Sequence, residues 1–214
     1  MKPRKPILLV TLGPTQEPLD AMRLISNRST GELGTMLALH LMESGHSVIA
    51  LRGTGAIADP SSLMEHCKRV ISFTSTADLK AALENLATEH LPISGVFHTA
   101  AVSDFYLPSA GLGKIPTSEG TLSLTLEPTP KLLPLMRGWF PMAKITGWKF
   151  EAGTSKESAL AAGLSQMRNC DTDSCVINGP SYGTGFGVLG RSGHCDHLTD
   201  RSTLCEYLAK SVIS

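Results

Sequence analysis

The chain has 214 residues, 42% of them hydrophobic, and its 19 lysines and arginines equal its 19 aspartates and glutamates. That length supports one good core, and with no run of five or six like charges nothing electrostatic favours a nucleic acid or a membrane surface as partner. The apolar run at 7–12 is too short for a signal peptide or a membrane span, so a soluble cytoplasmic protein is expected, organised as a single domain over 1–214.

Residues 7–12 form a short apolar run that stops at Gly13-Pro14, the pattern of a buried parallel strand. Leu33, Leu37 and Leu41 recur at four-residue spacing before Gly45, which predicts a helix over 31–44 capped by Ser29 or Thr30. Strands follow at 47–51 and 69–73, and Ser75 with Asp78 three residues later opens a helix that carries Leu79, Leu83 and Leu86. A further strand over 95–102 runs into a small-residue turn. Strands alternating with helices at this spacing predict a mostly parallel sheet covered on both faces, with ligands at the carboxyl ends of the strands. Function is therefore expected at 13–31 and 99–116.

Residues 121–126, Thr-Leu-Ser-Leu-Thr-Leu, alternate with period two and predict a strand whose second face is wet or paired elsewhere. The sheet resumes at 144–150, a helix is expected over 156–168, and another strand over 174–178. A glycine-rich loop over 179–193 precedes a last helix, capped by Asp200 and carrying Leu204, Leu208 and Val212. The five cysteines, Cys67, Cys170, Cys175, Cys195 and Cys205, show no C-x-x-C and read as reduced thiols. His194-Cys195-Asp196-His197 has metal-binding side-chain types, but strand neighbours point to opposite faces, so no metal site is expected there.

The first strand-to-helix crossing, 13–31, is unusually long and lacks the G-x-G-x-x-G of a dinucleotide fold. It leaves a helix N-terminus with free N–H groups, the hydroxyls of Ser29 and Thr30, and a small Gly31, which suits either a phosphate site or simple capping by Ser29. A nicotinamide-dependent reductase is the rival that a Rossmann-like sheet leaves open. Against it stand the missing glycine motif and the absence of an acidic residue at the end of the second strand, where Leu51-Arg52-Gly53 at best suits a 2'-phosphate.

The stretch Val10-Thr-Leu-Gly-Pro-Thr-Gln-Glu-Pro-Leu-Asp-Ala-Met-Arg-Leu-Ile-Ser-Asn-Arg-Ser-Thr-Gly-Glu-Leu-Gly34 resembles the opening of the phosphopantothenoylcysteine synthetases, the ligase half of the bacterial coenzyme A bifunctional flavoproteins. Three further blocks agree in order: Ala100-Ala-Val-Ser-Asp104-Phe105, Lys114-Ile115, and the pair Gly147-Trp-Lys-Phe-Glu151 and Val176-Ile-Asn178. The resemblance implies a Rossmann-like three-layer α/β sandwich with a dimerisation strand and flap insertion, a homodimer, and a separate decarboxylase in the pathway. It also implies joining 4'-phosphopantothenate to cysteine through an acyl-nucleotide made with CTP, or with ATP, and Mg²⁺.

On the same resemblance Asn27 and Arg23 are catalytic in acyl transfer, and Lys114 meets the triphosphate. Gly13, Thr15, Ser29, Thr30, Gly31, Ala100, Ala101, Asp104, Phe105, Gly147 and Trp148 fall on the nucleotide-binding surface. Taken alone, Asn27 also suits an Asx turn, Asp104 a loop cap, and Arg23 and Lys114 solvated loop positions. The chain departs from the family pattern at Lys114-Ile115-Pro116-Thr117, which lacks a flap cation, and at Thr129-Pro130-Lys131, which replaces Asn-Pro-Asp. It departs again at Asn178-Gly179, where Asn-Asp is usual. A divergent or non-catalytic homologue with altered substrate preference is therefore the second alternative, with Lys131 or Lys149 as sources of replacement charge.

Overall fold

The computed structural model describes residues 6–108, 113–116, 120–153 and 155–212. The first apolar run forms β1 (Ile7–Leu12), all six residues buried. Because a strand alternates its faces, Leu8, Val10 and Leu12 enter one core while Ile7 and Leu9 enter the core on the other side. A small hairpin follows, β2 (Gln16–Pro18) and β3 (Leu24–Ser26), then α1 (Glu32–Glu43), β4 (Ser47–Gly53), α2 (Ser61–His66), β5 (Arg69–Phe73), α3 (Thr76–Thr88) and β6 (Ile93–His98). After two-residue strands β7 (Phe105–Tyr106) and β8 (Glu127–Pro128) come a 3₁₀ turn at Leu133–Leu135, α4 (Met136–Trp139) and β9 (Lys144–Phe150). The chain continues through α5 (Lys156–Cys170), β10 (Ser174–Asn178), β11 (Phe186–Gly190), β12 (Cys195–Leu198) and α6 (Arg201–Ser211).

Among the described residues eight strands form the main sheet, in the order β12-β11-β10-β9-β6-β1-β4-β5. Six are parallel, and β11 and β12 add an antiparallel edge. Helices α1 and α6 bury Leu37, Leu41, Leu204 and Leu208 against one face, while α3 and α4 bury Leu79, Leu83, Leu86 and Met136 against the other. This is the expected α/β sandwich of three layers. The chain leaves β1 for β4 on one side and later returns to place β6 on the other. The connections that leave β1 and β6 thus run toward opposite sides of the sheet, the switch point in whose crevice open parallel sheets take their ligands.

Several expectations need correction. The helix at 32 is capped by Gly31 in a left-handed conformation (φ 78°) with no side-chain cap; the Thr30 hydroxyl only accepts the Glu32 N–H at 3.3 Å. Residues 121–126 are not a strand. They are irregular and mostly exposed, with Leu122 and Leu124 open to solvent, and pairing begins only at Glu127. The alternation is real, but among the described residues no strand lies alongside to complete a ladder. The glycine-rich stretch expected as loop contains β11, where Gly187 lies under the Tyr182 ring, so close that an added Cβ would sit 2.6 Å from it. Gly187 is thus a glycine that packing requires within a strand.

The capping boxes at Ser75 and Asp200 are present, and a third occurs at Ser155. The five cysteines are free, and no helix among the described residues is long and apolar enough to cross a membrane. His194 bonds Asp196 while His197 faces Tyr182, so the four-residue cluster divides between two sides of β12. Among the described residues no group of three metal-ligating side chains converges.

At the end of β6, His98 is 7% exposed and its Nδ1 lies 2.8 Å from the Thr11 hydroxyl on β1. Burial pushes its pKa from 6.5 down to about 4. Its contribution to stability is therefore complete above pH 6.5, where both folded and unfolded chains hold it neutral, and declines as pH falls toward 4, because the unfolded chain protonates first. The loss is on the order of 3 kcal/mol at most. Urea midpoints measured from pH 7 to 4.5 should fall more steeply for the natural protein than for His98→Gln; equal slopes would show that His98 is not buried in its neutral form.

Candidate functional site

Two loops build the crevice, 13–31 after β1 and 99–104 after β6, and the sequence allows their backbones to touch. Thr11 accepts the Ala100 N–H on its hydroxyl and the Thr99 N–H and hydroxyl on its carbonyl. Ala101 then donates to Gly13 O and accepts from Thr15 N, a parallel bridge that extends the β1–β6 pairing past the sheet. Thr15 is fully buried, and its hydroxyl accepts the Ser103 N–H at 2.8 Å. Thr15 and Ala101 therefore join the two loops, with these groups turned to each other.

The glycines serve the same close approach. Gly13 and Gly31 both have positive φ, and a Cβ on either would lie 2.8 Å from the Ala56 side chain. At Gly34, on the first turn of α1, an added Cβ would lie 2.4 Å from that of Leu12 and 2.5 Å from the Thr99 hydroxyl. Gly31 is thus buried against protein, and its lack of a side chain makes room for Ala56. Glu32 in the first turn of α1 is ion-paired with Arg201 at 2.8 Å, so the helix N-terminus already has a carboxylate beside it. Ser29 is half-buried and donates its N–H to Asn27 O.

Asn27 lies at the surface of the crevice. Its amide nitrogen donates to Ala101 O and Val102 O at 3.1 and 3.0 Å, which turns the carbonyl oxygen into the acceptor left for a ligand. Arg23 is half-buried at the tip of the β2–β3 hairpin, where Nε and Nη2 bond Asp20 Oδ2 at 3.0 and 2.5 Å. Nη2 also donates to Ile115 O at 2.8 Å. Lys114 is exposed on the segment that this contact brings to the hairpin. Residues 13–31 thus reach both the second loop, through Asn27, and the segment that bears Lys114, through Arg23.

Asp104 is exposed and ion-paired with Lys131, which also places the Thr129-Pro130-Lys131 departure in this crevice. Thr129 is buried; its hydroxyl donates to Ser103 O and its N–H to Asp104 O. Phe105 is exposed on β7. Gly147 and Trp148 lie within β9, Gly147 against Leu133 and Gln166, and the half-buried Trp148 with its indole N–H lacking a partner among the described residues. The strand itself ends two residues later at Phe150. Arg52, the residue that would have served a 2'-phosphate, donates through Nη2 to Ala56 O and Ala58 O instead.

Sequence reasoning missed Asp20 and Glu17. Both are buried carboxylates, Glu17 accepting from the Thr76 N–H and hydroxyl at the start of α3. The Arg23 guanidinium first, then the Ile115 and Met22 N–H groups, hold the Asp20 carboxyl far below the usual carboxylate range. The Asp-x-x-Arg spacing was the available signal, since it closes a turn on one side. Two recesses of about 490 and 380 Å³ lie elsewhere, one beside β5 and α3 and one beneath α6 near Lys144, Asp173 and Tyr207. Neither holds Asn27, Arg23 or Lys114.

Residues 4–200 match the model of the DFP family, the DNA/pantothenate metabolism flavoprotein C-terminal domain. The chain belongs to this family. It is 30% identical over 171 residues to a coenzyme A biosynthesis bifunctional protein CoaBC of Thermococcus kodakarensis, covering 80% of this chain and 40% of that protein. The DFP chain spans less than half the length of that bifunctional relative. It is also 29% identical over 197 residues to a human phosphopantothenate–cysteine ligase, covering 68% of this chain and 63% of that one.

Among solved structures, a DNA/pantothenate metabolism flavoprotein from Streptococcus pneumoniae superposes with TM-score 0.83 at 20% identity, covering 98% of this chain and 99% of that chain. A Cab2 mutant in complex with phosphopantothenate-cysteine superposes with TM-score 0.77 at 21% identity, covering 97% and 85%. At these identities the superpositions establish the DFP fold.

Proposed function

We propose that the protein is a phosphopantothenate–cysteine ligase that works through an acyl-nucleotide. The observation that supports this reading is the β1–β6 switch point of a DFP-family chain, where Asn27 is tied to the second loop and Arg23 to the segment that bears Lys114. In the first step a carboxylate oxygen of 4'-phosphopantothenate attacks the α-phosphorus of CTP, the bond to the β-phosphate oxygen breaks, and pyrophosphate leaves. In the second the cysteine amine attacks the acyl carbon, the bond to the CMP oxygen breaks, and the amine loses its proton as the amide forms.

Each step asks something different of the site. Pyrophosphate departure needs positive charge, and Lys114 supplies it from an exposed segment able to face the triphosphate. Mg²⁺, when bound, would neutralise phosphate charge, and Asp104, the exposed carboxylate of the second loop, would be the side chain to meet it or its waters. Aminolysis needs the acyl group and amine held in line, and the Asn27 carbonyl oxygen suits an amine N–H because its own N–H groups are engaged. CTP is the preferred donor on the family resemblance, with ATP as the second candidate. The reading places the reaction in the cytoplasm, with its amide product passed to a decarboxylase.

A homodimer belongs to the same proposal. Leu122 and Leu124 are exposed on a stretch whose alternation suits pairing, and a second copy would offer the strand that is lacking among the described residues. Light scattering at micromolar concentration should give twice the mass of 22.8 kDa, and a monomer would refute the dimer.

With Mg²⁺, CTP, 4'-phosphopantothenate and cysteine, the protein should release pyrophosphate and CMP and form the amide. Lys114→Gln should slow the first step by roughly 100-fold or more, the scale of a lost phosphate or oxyanion donor. Asn27→Asp, which sets a carboxylate oxygen against two backbone carbonyls and a negative charge beside the acyl group, should form phosphopantothenoyl-CMP yet transfer it poorly. Rapid quench with mass detection reads both steps. Release of a nucleoside diphosphate and inorganic phosphate would mean acyl-phosphate chemistry and refute the mechanism.

A further inference from the structure

Asp20 has no role in the reaction as described, yet it is the most densely bonded carboxylate at the crevice. Its side chain is wholly buried. Oδ1 accepts the Met22 and Arg23 N–H groups at 2.8 and 2.7 Å, which closes the hairpin tip. Oδ2 accepts Arg23 Nε and Nη2 and, at 3.0 Å, the Ile115 N–H. The same Arg23 Nη2 donates to Ile115 O, so both backbone groups of Ile115 are held by the Asp20–Arg23 pair. On the other side of Lys114, Gly113 O accepts the Ala21 N–H at 3.4 Å.

The segment bearing Lys114 is thus fastened at both flanks to one hairpin tip. The hairpin is itself fixed at its base, through Glu17 to Thr76 and through Ser26 Oγ to Thr15 O. Burial of a charge is costly unless it is hydrogen-bonded, and every bond that compensates the Asp20 carboxylate comes from the hairpin tip or from Ile115. What the pair does is fix where Lys114 sits relative to Asn27, whose amide is tied to the opposite loop. A long, flexible lysine gains most from such fixing, because the entropy of aligning it on a triphosphate is reduced in advance.

We propose that Asp20 is a positioning residue for nucleotide use: with Arg23 it clamps the backbone of Ile115 and so presents Lys114 to the triphosphate. Arg23 then has a structural duty toward the nucleotide step beyond any contact it makes in acyl transfer. The proposal rests on the ligase reading for its kinetic consequence, and on the hydrogen bonds alone for the clamp.

The test separates the two. Asp20→Asn keeps the size and the Oδ1 acceptor but removes the charge that holds Arg23 and the Ile115 N–H together. It should raise the nucleotide KM by about tenfold with a smaller change in kcat, while in a Lys114→Gln background the same change should have less than about a twofold effect, since the group being positioned is gone. Arg23→Lys, which lacks the forked donors, should raise the same KM. Hydrogen exchange of the Ile115 amide should quicken by about tenfold in Asp20→Asn while the amides of β1 and β6 keep their protection. An effect of Asp20→Asn that is equal in both backgrounds overturns the positioning role, and an unchanged Ile115 exchange rate overturns the clamp. A natural protein that binds nucleotide yet forms no amide would refute the ligase reading, and nucleotide affinity in place of KM would still decide the positioning role.

Discussion

Gly34 meets Leu12 and Thr99 so closely that a single added methyl would fall inside van der Waals contact with both. That approach lets α1 start directly against the ends of β1 and β6, and Gly13 and Gly31 repeat it one turn higher around Ala56. Interiors are packed too densely to absorb such overlaps, and overpacking of this kind costs roughly 1–3 kcal/mol. With the backbones this near, Ala101 can bond Gly13 and Thr15, Thr15 can reach Ser103, and Asn27 can reach the carbonyls of 101 and 102. The crevice is therefore a consequence of side chains that are absent.

Charge is arranged in pairs around that seam. Asp20 answers Arg23, Asp104 answers Lys131, and Glu32 answers Arg201. The first pair is buried on its acidic side and carries backbone contacts as well, so it organises a segment; the exposed pairs contribute little to stability. Lys131 stands where the family pattern has an aspartate, and its partner in the fold is the one carboxylate of the second loop. The departure thus sets a cation beside Asp104, while the Asn27 and Arg23 bonds involve neither residue.

The order of strands and the main helices were legible because period and capping agree: Leu79, Leu83 and Leu86 recur after a Ser75–Asp78 box, and alternate residues of 7–12 feed two cores. The hairpin at 16–26 was not legible, since its strands have three residues each and their partners are set by Thr15, Glu17 and Thr76 from elsewhere. β11 was hidden because Gly187 and Gly190 read as loop, although the first is a glycine to seat Tyr182. At the site, residue types were readable and their obligations were not. Thr15, Ala101 and Gly31, expected on the nucleotide surface, also hold the loops together, and Arg23 and Asn27 are tied to backbone carbonyls of neighbouring segments, obligations that no sequence pattern announces.

The most direct measurement is amide chemical-shift mapping of the protein titrated with CTP and Mg²⁺. Shifts concentrated at 13–31, 99–105 and the Lys114 segment are the predicted result, because nucleotide bound at the β1–β6 switch point touches both loops. Shifts concentrated at the recess beneath α6, around Lys144, Asp173 and Tyr207, with the two loops unmoved, would contradict the placement of the site.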